Sequence, residues 1–334
     1  MQIRNIPIFR HLGAYFKGIV RPRYENYPCK FDQTYQRAIV YRPDTKDFRP
    51  LVVCLHAWSH HYDDMYGEYL ELARKMGWNM IHPDFRGPNW MPVACGSDAV
   101  VSDIIDAVMY MKATANIDAK RIYLIGGSGG GHCSLLMAGR YPEIWAGVSS
   151  WCPISSIAQW YRECKDSSCN SRYADNIEMV CGGAPDKSQR AMQEALFRSP
   201  LTWLSNARNV SIDIATGIHD GHGKFSVPVS HAINAYNILA NENEHITEED
   251  IDTITTKEHI PEKLRFHDED PAYGKKSVLF RCQSNHVRLT IFDGGHAIIP
   301  EAGFYWLEHQ NLGGKPDWRV VRTQKRSTII ELPK

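Results

Sequence analysis

Residues 121–140 read RIYLIGGSGGGHCSLLMAGR. The β-branched run RIYLIGG (121–127) predicts a strand ending in glycines, and about 129–140 predicts a helix. Between them, Gly126-Gly127-Ser128-Gly129-Gly130 matches the pattern G-x-S-x-G. A serine forced into a sharp strand-to-helix turn needs small neighbours, because the backbone is strained and packs closely on adjacent elements. The turn holds the hydroxyl clear of the sheet, at the positive end of the following helix. Ser128 is therefore the candidate nucleophile. The competing reading is a glycine-rich turn that cradles phosphate. A Walker turn needs Gly-Lys-Ser/Thr, which is missing here, and a Rossmann turn would belong to the first βα unit.

Working outward, strands and helices alternate from about residue 30 to 300. QRAIVYRP (36–43), LVVCLHAW (51–58) and WNMIHPDF (78–85) read as strands, with a helix over 65–76. Val101, Ile104, Ile105, Val108 and Met109 recur at helical spacing. WAGVSSW (145–151) and SIDIATG (211–217) are further strands. Such alternation predicts a mostly parallel sheet with helices on both faces. The chain reads as one domain over 1–334, with an N-terminal extension at 1–34. A mixed segment at 153–208 reads equally as solvated loop and helix or as a cap over the site, and 242–276 as a charged, exposed insertion.

A serine hydroxyl attacks only when a base removes its proton, and the base must itself be oriented. In a strand–turn–helix nucleophile fold the partners follow in the order serine, acid, histidine. Asp220 lies just beyond one predicted strand, in IATGIHDGHGK, and His296 just beyond another, VRLTIFD, in FDGGHAIIP. Asp213 is a rival acid but lies inside its strand, and Asp293 is too near His296 along the chain. His219 and His222 flank Asp220 without the i,i+4 register of a zinc helix, so no metal is expected, and His222 reads as a site-lining residue. The oxyanion donors should be the backbone N–H of Gly129 and that of Trp58, in the loop after LVVCLHAW.

Composition bounds the rest. Lys+Arg and Asp+Glu balance at 38 each, which supplies no positive field for a nucleic acid. The nine cysteines are an odd number without a C-x-x-C pair, so zinc is not expected even at Cys164, Cys169 and Cys181. Unpaired thiols fit a reducing compartment better than an oxidising one. Arg4, Arg10, His11 and Lys17 interrupt every apolar stretch of the N-terminus, and no run is long enough for a membrane span. The chain reads as soluble and cytoplasmic; an export signal already removed would place it in the periplasm or outside the cell. No cofactor is called for, and the oligomeric state is not legible.

LVVCLHAWSHH, PDFRGPN, SDIIDAVMYMKATANIDAKRIYLIGGSGGGH and VPVSHAINAYNIL resemble the catalytic domain of the prolyl-oligopeptidase-like serine hydrolases over roughly residues 35–310. The resemblance implies an α/β-hydrolase fold with an eight-stranded sheet, and places Ser128, Asp220 and His296 at the triad positions. The length leaves no room for the N-terminal β-propeller of the larger peptidases, and there is no glutamate pair such as dipeptidyl peptidases use on a free amino terminus. Stand-alone members of the group include esterases acting on acetyl, feruloyl and methyl-uronate esters of carbohydrates. Aromatic and polar residues near the expected site suit a sugar, with Trp58, Arg86, Asn89, Trp160 and His222 the candidate contacts. An arginine can pair with a uronate carboxylate, although Arg86 could equally brace its loop against Asp84 or Asp98. The leading expectation is a carboxylic-ester hydrolase working through an acyl-enzyme on a polysaccharide or small-molecule ester. A small oligopeptidase stands second and a non-catalytic binding protein third.

Overall fold

The computed structural model describes residues 22–319, apart from 166, 168, 169, 225, 267 and 268, together with 329–332. The reading of the N-terminal residues through Lys17, and that of Cys169, lie outside the described residues. The centre is a twisted sheet with strand order β1-β2-β4-β3-β5-β6-β7-β9-β8. Its members are β1 Arg23–Pro28, β2 Tyr35–Tyr41, β3 Arg49–Leu55, β4 Asn79–Pro83, β5 Ile117–Gly127, β6 Gly147–Trp151, β7 Ile212–Gly217, β8 Val278–Ser284 and β9 Val287–Phe292. The pairings from β4 through β9 are parallel, while β1–β2, β2–β4 and β8–β9 are antiparallel. This is the α/β-hydrolase architecture, with nine strands rather than eight. The ninth strand is β8, which pairs antiparallel outside β9 at one edge; at the other edge RYENYP, within the expected N-terminal extension, pairs with β2, and only its Tyr27 is buried.

The parallel strands are apolar almost throughout because helices cover both faces. One face packs β3, β5 and β7 side chains against α2 (Asp98–Thr114), α3 (Gly129–Arg140) and α7 (Ser230–Leu239). The other packs Val52, Tyr123 and Ile125 against α1 (Gly67–Met76) and α9 (Pro300–Leu307). The segment 153–208 forms α4 Ile157–Lys165, α5 Ser171–Cys181 and α6 Gln189–Phe197, which bury their own apolar cluster together with Trp58, Cys95 and Val227. The charged segment 242–276 contains α8 Glu248–Lys257. No helix among the described residues is long and apolar enough to cross a membrane.

Candidate active site

Ser128 sits between β5 and α3 with φ 58° and ψ −118°, a backbone region that L-residues avoid. Such strain costs about 1–3 kcal/mol and persists only where the surroundings over-determine it. Here they do so from both sides. Ser128 N donates to Trp151 O at 2.9 Å, and Ser128 O accepts from His132 N at 2.8 Å. The following glycine is dictated by contact: a Cβ on Gly129 would lie 2.5 Å from Trp58 N. That same proximity puts the Trp58 peptide beside the first turn of α3, whose leading N–H groups have no intrahelical acceptor. Asn89, fully buried, holds the Trp58 peptide: its backbone N and its Nδ2 donate to Trp58 O at 2.8 and 3.3 Å, while its Oδ1 accepts from Cys95 N at 2.9 Å.

Asp220 and His296 come together from two parallel neighbours. The loops after β7 and β9 are laced by Ile218 N to Phe292 O and His219 N to Gly294 O, both 2.9 Å. His296 Nδ1 lies 2.9 Å from each carboxylate oxygen of Asp220. The carboxylate has no exposed surface and also accepts from Val227 N at 2.8 Å and, more weakly, from Thr216 Oγ1 at 3.5 Å. Beyond the base, β10 (Ala297–Ile298) pairs with β11 (Ile330–Glu331), and Leu332 N donates to His296 O at 3.1 Å. The rival acid is accounted for elsewhere: Asp213 forms a buried bidentate pair with Arg288 at 2.7 and 2.9 Å. Asp293 is an exposed partner of His219 at 3.4 Å.

One neighbour escaped the sequence reading. Cys152 follows β6 with φ 46°, and its Sγ donates to Ala297 O at 3.3 Å. Its sulfur, an Asp220 oxygen and a His296 nitrogen lie within 4.8 Å of one another. Burial and then the Asp220 charge push the thiol well above its ordinary value. Metal ligation needs a thiolate, and Asp220 and His296 already satisfy each other. The trio therefore fits an acid–base pair with a packed thiol better than a metal centre.

The expected substrate contacts fare differently. Arg86 is engaged in the structural way: its Nε and Nη2 hold Asp103 at 2.6 and 2.9 Å, and Nη2 also reaches Asp32 at 3.2 Å. The braces are thus Asp103 and Asp32 rather than Asp84 or Asp98; Asp98 instead pairs with Arg140. Asn89 is a shaper of the Trp58 loop, as above. Trp160 is 2% exposed, with its ring centroid 4.8 Å from both Trp58 and Tyr173. Its Nε1 is buried without a partner among the described residues. His222 Nε2 lies 2.7 Å from Thr255 O and its Nδ1 3.8 Å from Glu258, while His219 also pairs with Glu258, so both histidines tie the Asp220 loop to α8.

The fold is that of an α/β-hydrolase, and it carries a strained serine elbow at Ser128 and a hydrogen-bonded Asp220–His296 pair. Residues 70–266 match the prolyl oligopeptidase family. The chain belongs to that family of serine hydrolases. Ser128 and Asp220 fall inside the matched region and His296 beyond it. The acylamino-acid-releasing enzyme 1 of Oryza sativa subsp. japonica is 25% identical over 119 residues, which cover 33% of this chain and 15% of that protein. An acetyl xylan esterase from Paenibacillus sp. R4 superposes with a TM-score of 0.58 at 19% identity, covering 86% of this chain and 83% of its own. The acylaminoacyl peptidase of Pyrococcus horikoshii superposes with a TM-score of 0.56 at 17% identity, over 82% of this chain and 37% of its own. The chain thus spans well under half the length of the peptidases it matches.

Proposed function

We propose that the protein is a carboxylic-ester hydrolase that works through an acyl-enzyme on a carbohydrate-linked ester. The reading is supported by the 2.9 Å His296–Asp220 contact, by the strained Ser128 elbow and by the family match. In this mechanism Ser128 Oγ attacks the ester carbonyl while His296 Nε2 takes its proton. Asp220 fixes the Nδ1–H tautomer and stabilises the imidazolium. The N–H groups of Trp58 and Gly129 receive the developing oxyanion. His296 then protonates the leaving alcohol, and water hydrolyses the acyl-enzyme by the reverse sequence.

Ester over peptide is supported by the acetyl xylan esterase, which this chain matches across most of both lengths. Within the ester class, the Arg86 bridge removes the residue that favoured a uronate, so an acetyl or feruloyl ester of a neutral sugar suits the site better. We read 153–208 as the cap, since its aromatic cluster includes Trp58 itself. The second reading, a small acylpeptide or oligopeptidase, is favoured by the family match. A screen of acetylated, feruloylated and methyl-esterified polysaccharides beside N-acetyl and proline peptide substrates separates the two. Release of acetate or ferulate without peptide cleavage is expected; peptide cleavage alone would replace the ester reading with the second.

A further inference from the structure

The rim of the sheet opposite Ser128 holds a concavity. Strands β3, β4 and β5 begin at that rim, while β2 and α2 end there. A cavity of about 400 Å³ opens between them, within the roughly 300–1,000 Å³ typical of small-molecule sites. Arg42, Arg49 and Lys112 stand in its wall against one carboxylate, Asp47.

The arginines are only partly engaged. Arg42 makes a bidentate pair with Glu25 at 2.8 and 2.9 Å and donates to Thr114 Oγ1 at 2.7 Å. Arg49 Nη2 donates to Asp47 at 2.8 Å. Yet the Nε–H of each is buried with no partner among the described residues. Those two atoms have almost no accessible surface, so the donors left for an acceptor in the cavity are Arg49 Nη1 and Lys112 Nζ, neither of which has a partner among the described residues. The nearby carbonyls are already engaged: Asn79 Nδ2 donates to Arg49 O, Pro50 O and Asn116 O at 3.5, 3.4 and 3.5 Å. The groups left wanting are donors. Lys112, in the last turn of α2, is exposed and adds a third positive group. Guanidinium N–H groups and an ammonium around one concavity match the oxygens of a phosphate.

We propose that this rim binds a phosphate group, free or carried by a small metabolite, through the Arg49 guanidinium and Lys112 Nζ, with Arg42 beside them. The site is independent of the ester hydrolysis proposed above and lies at the other end of the strands. Calorimetric titration of the full chain with sodium phosphate, glucose 6-phosphate and glucose, at constant ionic strength, tests it. Saturable binding of a phosphate-bearing probe and none of glucose is expected. Tighter binding of glucose 6-phosphate identifies a metabolite, and equal binding identifies free phosphate. Lys112→Ala and Arg49→Gln should each weaken binding about tenfold, or about 1.4 kcal/mol, with turnover of p-nitrophenyl acetate unchanged. Lys112 is exposed, so its variant decides the matter should Arg49→Gln fold poorly. Absence of saturable phosphate binding, or binding indifferent to Lys112→Ala, would overturn the proposal.

Discussion

His296 Nδ1 stands 2.9 Å from both oxygens of an Asp220 carboxylate that is wholly buried. A histidine so held is oriented by the acid, and the mechanism proposed above gives its other nitrogen to the Ser128 hydroxyl. Asp220→Asn should lower kcat about ten-thousandfold, with little change in melting temperature, because the amide can still accept from Val227 N. Asp213→Asn should behave in the opposite sense. It breaks the buried pair with Arg288, so stability falls and turnover by the remaining folded enzyme persists. Kinetics and thermal melts on the two variants check the contrast.

Gly129→Ala addresses the oxyanion donors. The added methyl would sit 2.5 Å from Trp58 N, so the Trp58 peptide must move. Loss of one such donor costs about 10²–10³ in kcat. Alanine is otherwise favourable in a helix, so circular dichroism should show the fold retained while p-nitrophenyl acetate turnover collapses.

Arg86→Ala tests the structural assignment. Asp103 is fully buried, and burial outweighs the Arg86 contact to raise its pKa. Removing one partner of a buried pair costs about 3–5 kcal/mol. The melting temperature should drop, and turnover of neutral and uronate esters should fall in parallel. A selective rise in KM for the uronate ester would restore Arg86 to the substrate.

Acid stability should depend on His132, behind the elbow on α3. Burial lowers its pKa to about 4 from the ordinary 6.5. The unfolded chain therefore binds a proton that the folded chain refuses between those values, and stability falls as pH drops through that window. The span corresponds to about 3 kcal/mol at 1.36 kcal/mol per pH unit. His132→Gln should flatten the decline in melting temperature between pH 6.5 and 4.5; an unchanged slope would assign it to other groups.

What was legible in the sequence was what local backbone chemistry writes. Ser128 is readable because its glycines answer contacts within a few residues of a strand end, and Asp220 and His296 because each follows a strand that must point the same way. Arg86 was legible equally as a brace and as a substrate contact, but its partners were not, since Asp32 and Asp103 lie 54 and 17 residues away and meet it only after folding. Trp160 reads alike as a platform or as core, and only the packing of α4 on α5 decides where its ring goes. Cys152 gives no signal at all: its place beside Asp220 depends on β6 lying next to β7. Strand β1 was hidden because an edge strand with one wet face carries too little apolar pattern.

The central claim is covalent catalysis at Ser128, and mapping the site of fluorophosphonate labelling tests it most directly. Intact and peptide mass spectra should show one phosphonyl adduct, on the peptide containing Ser128. It should vanish in Ser128→Ala and slow severely in His296→Ala. A folded wild-type protein that takes up no label, or takes it up at another residue with Ser128→Ala still turning over ester, would contradict the account.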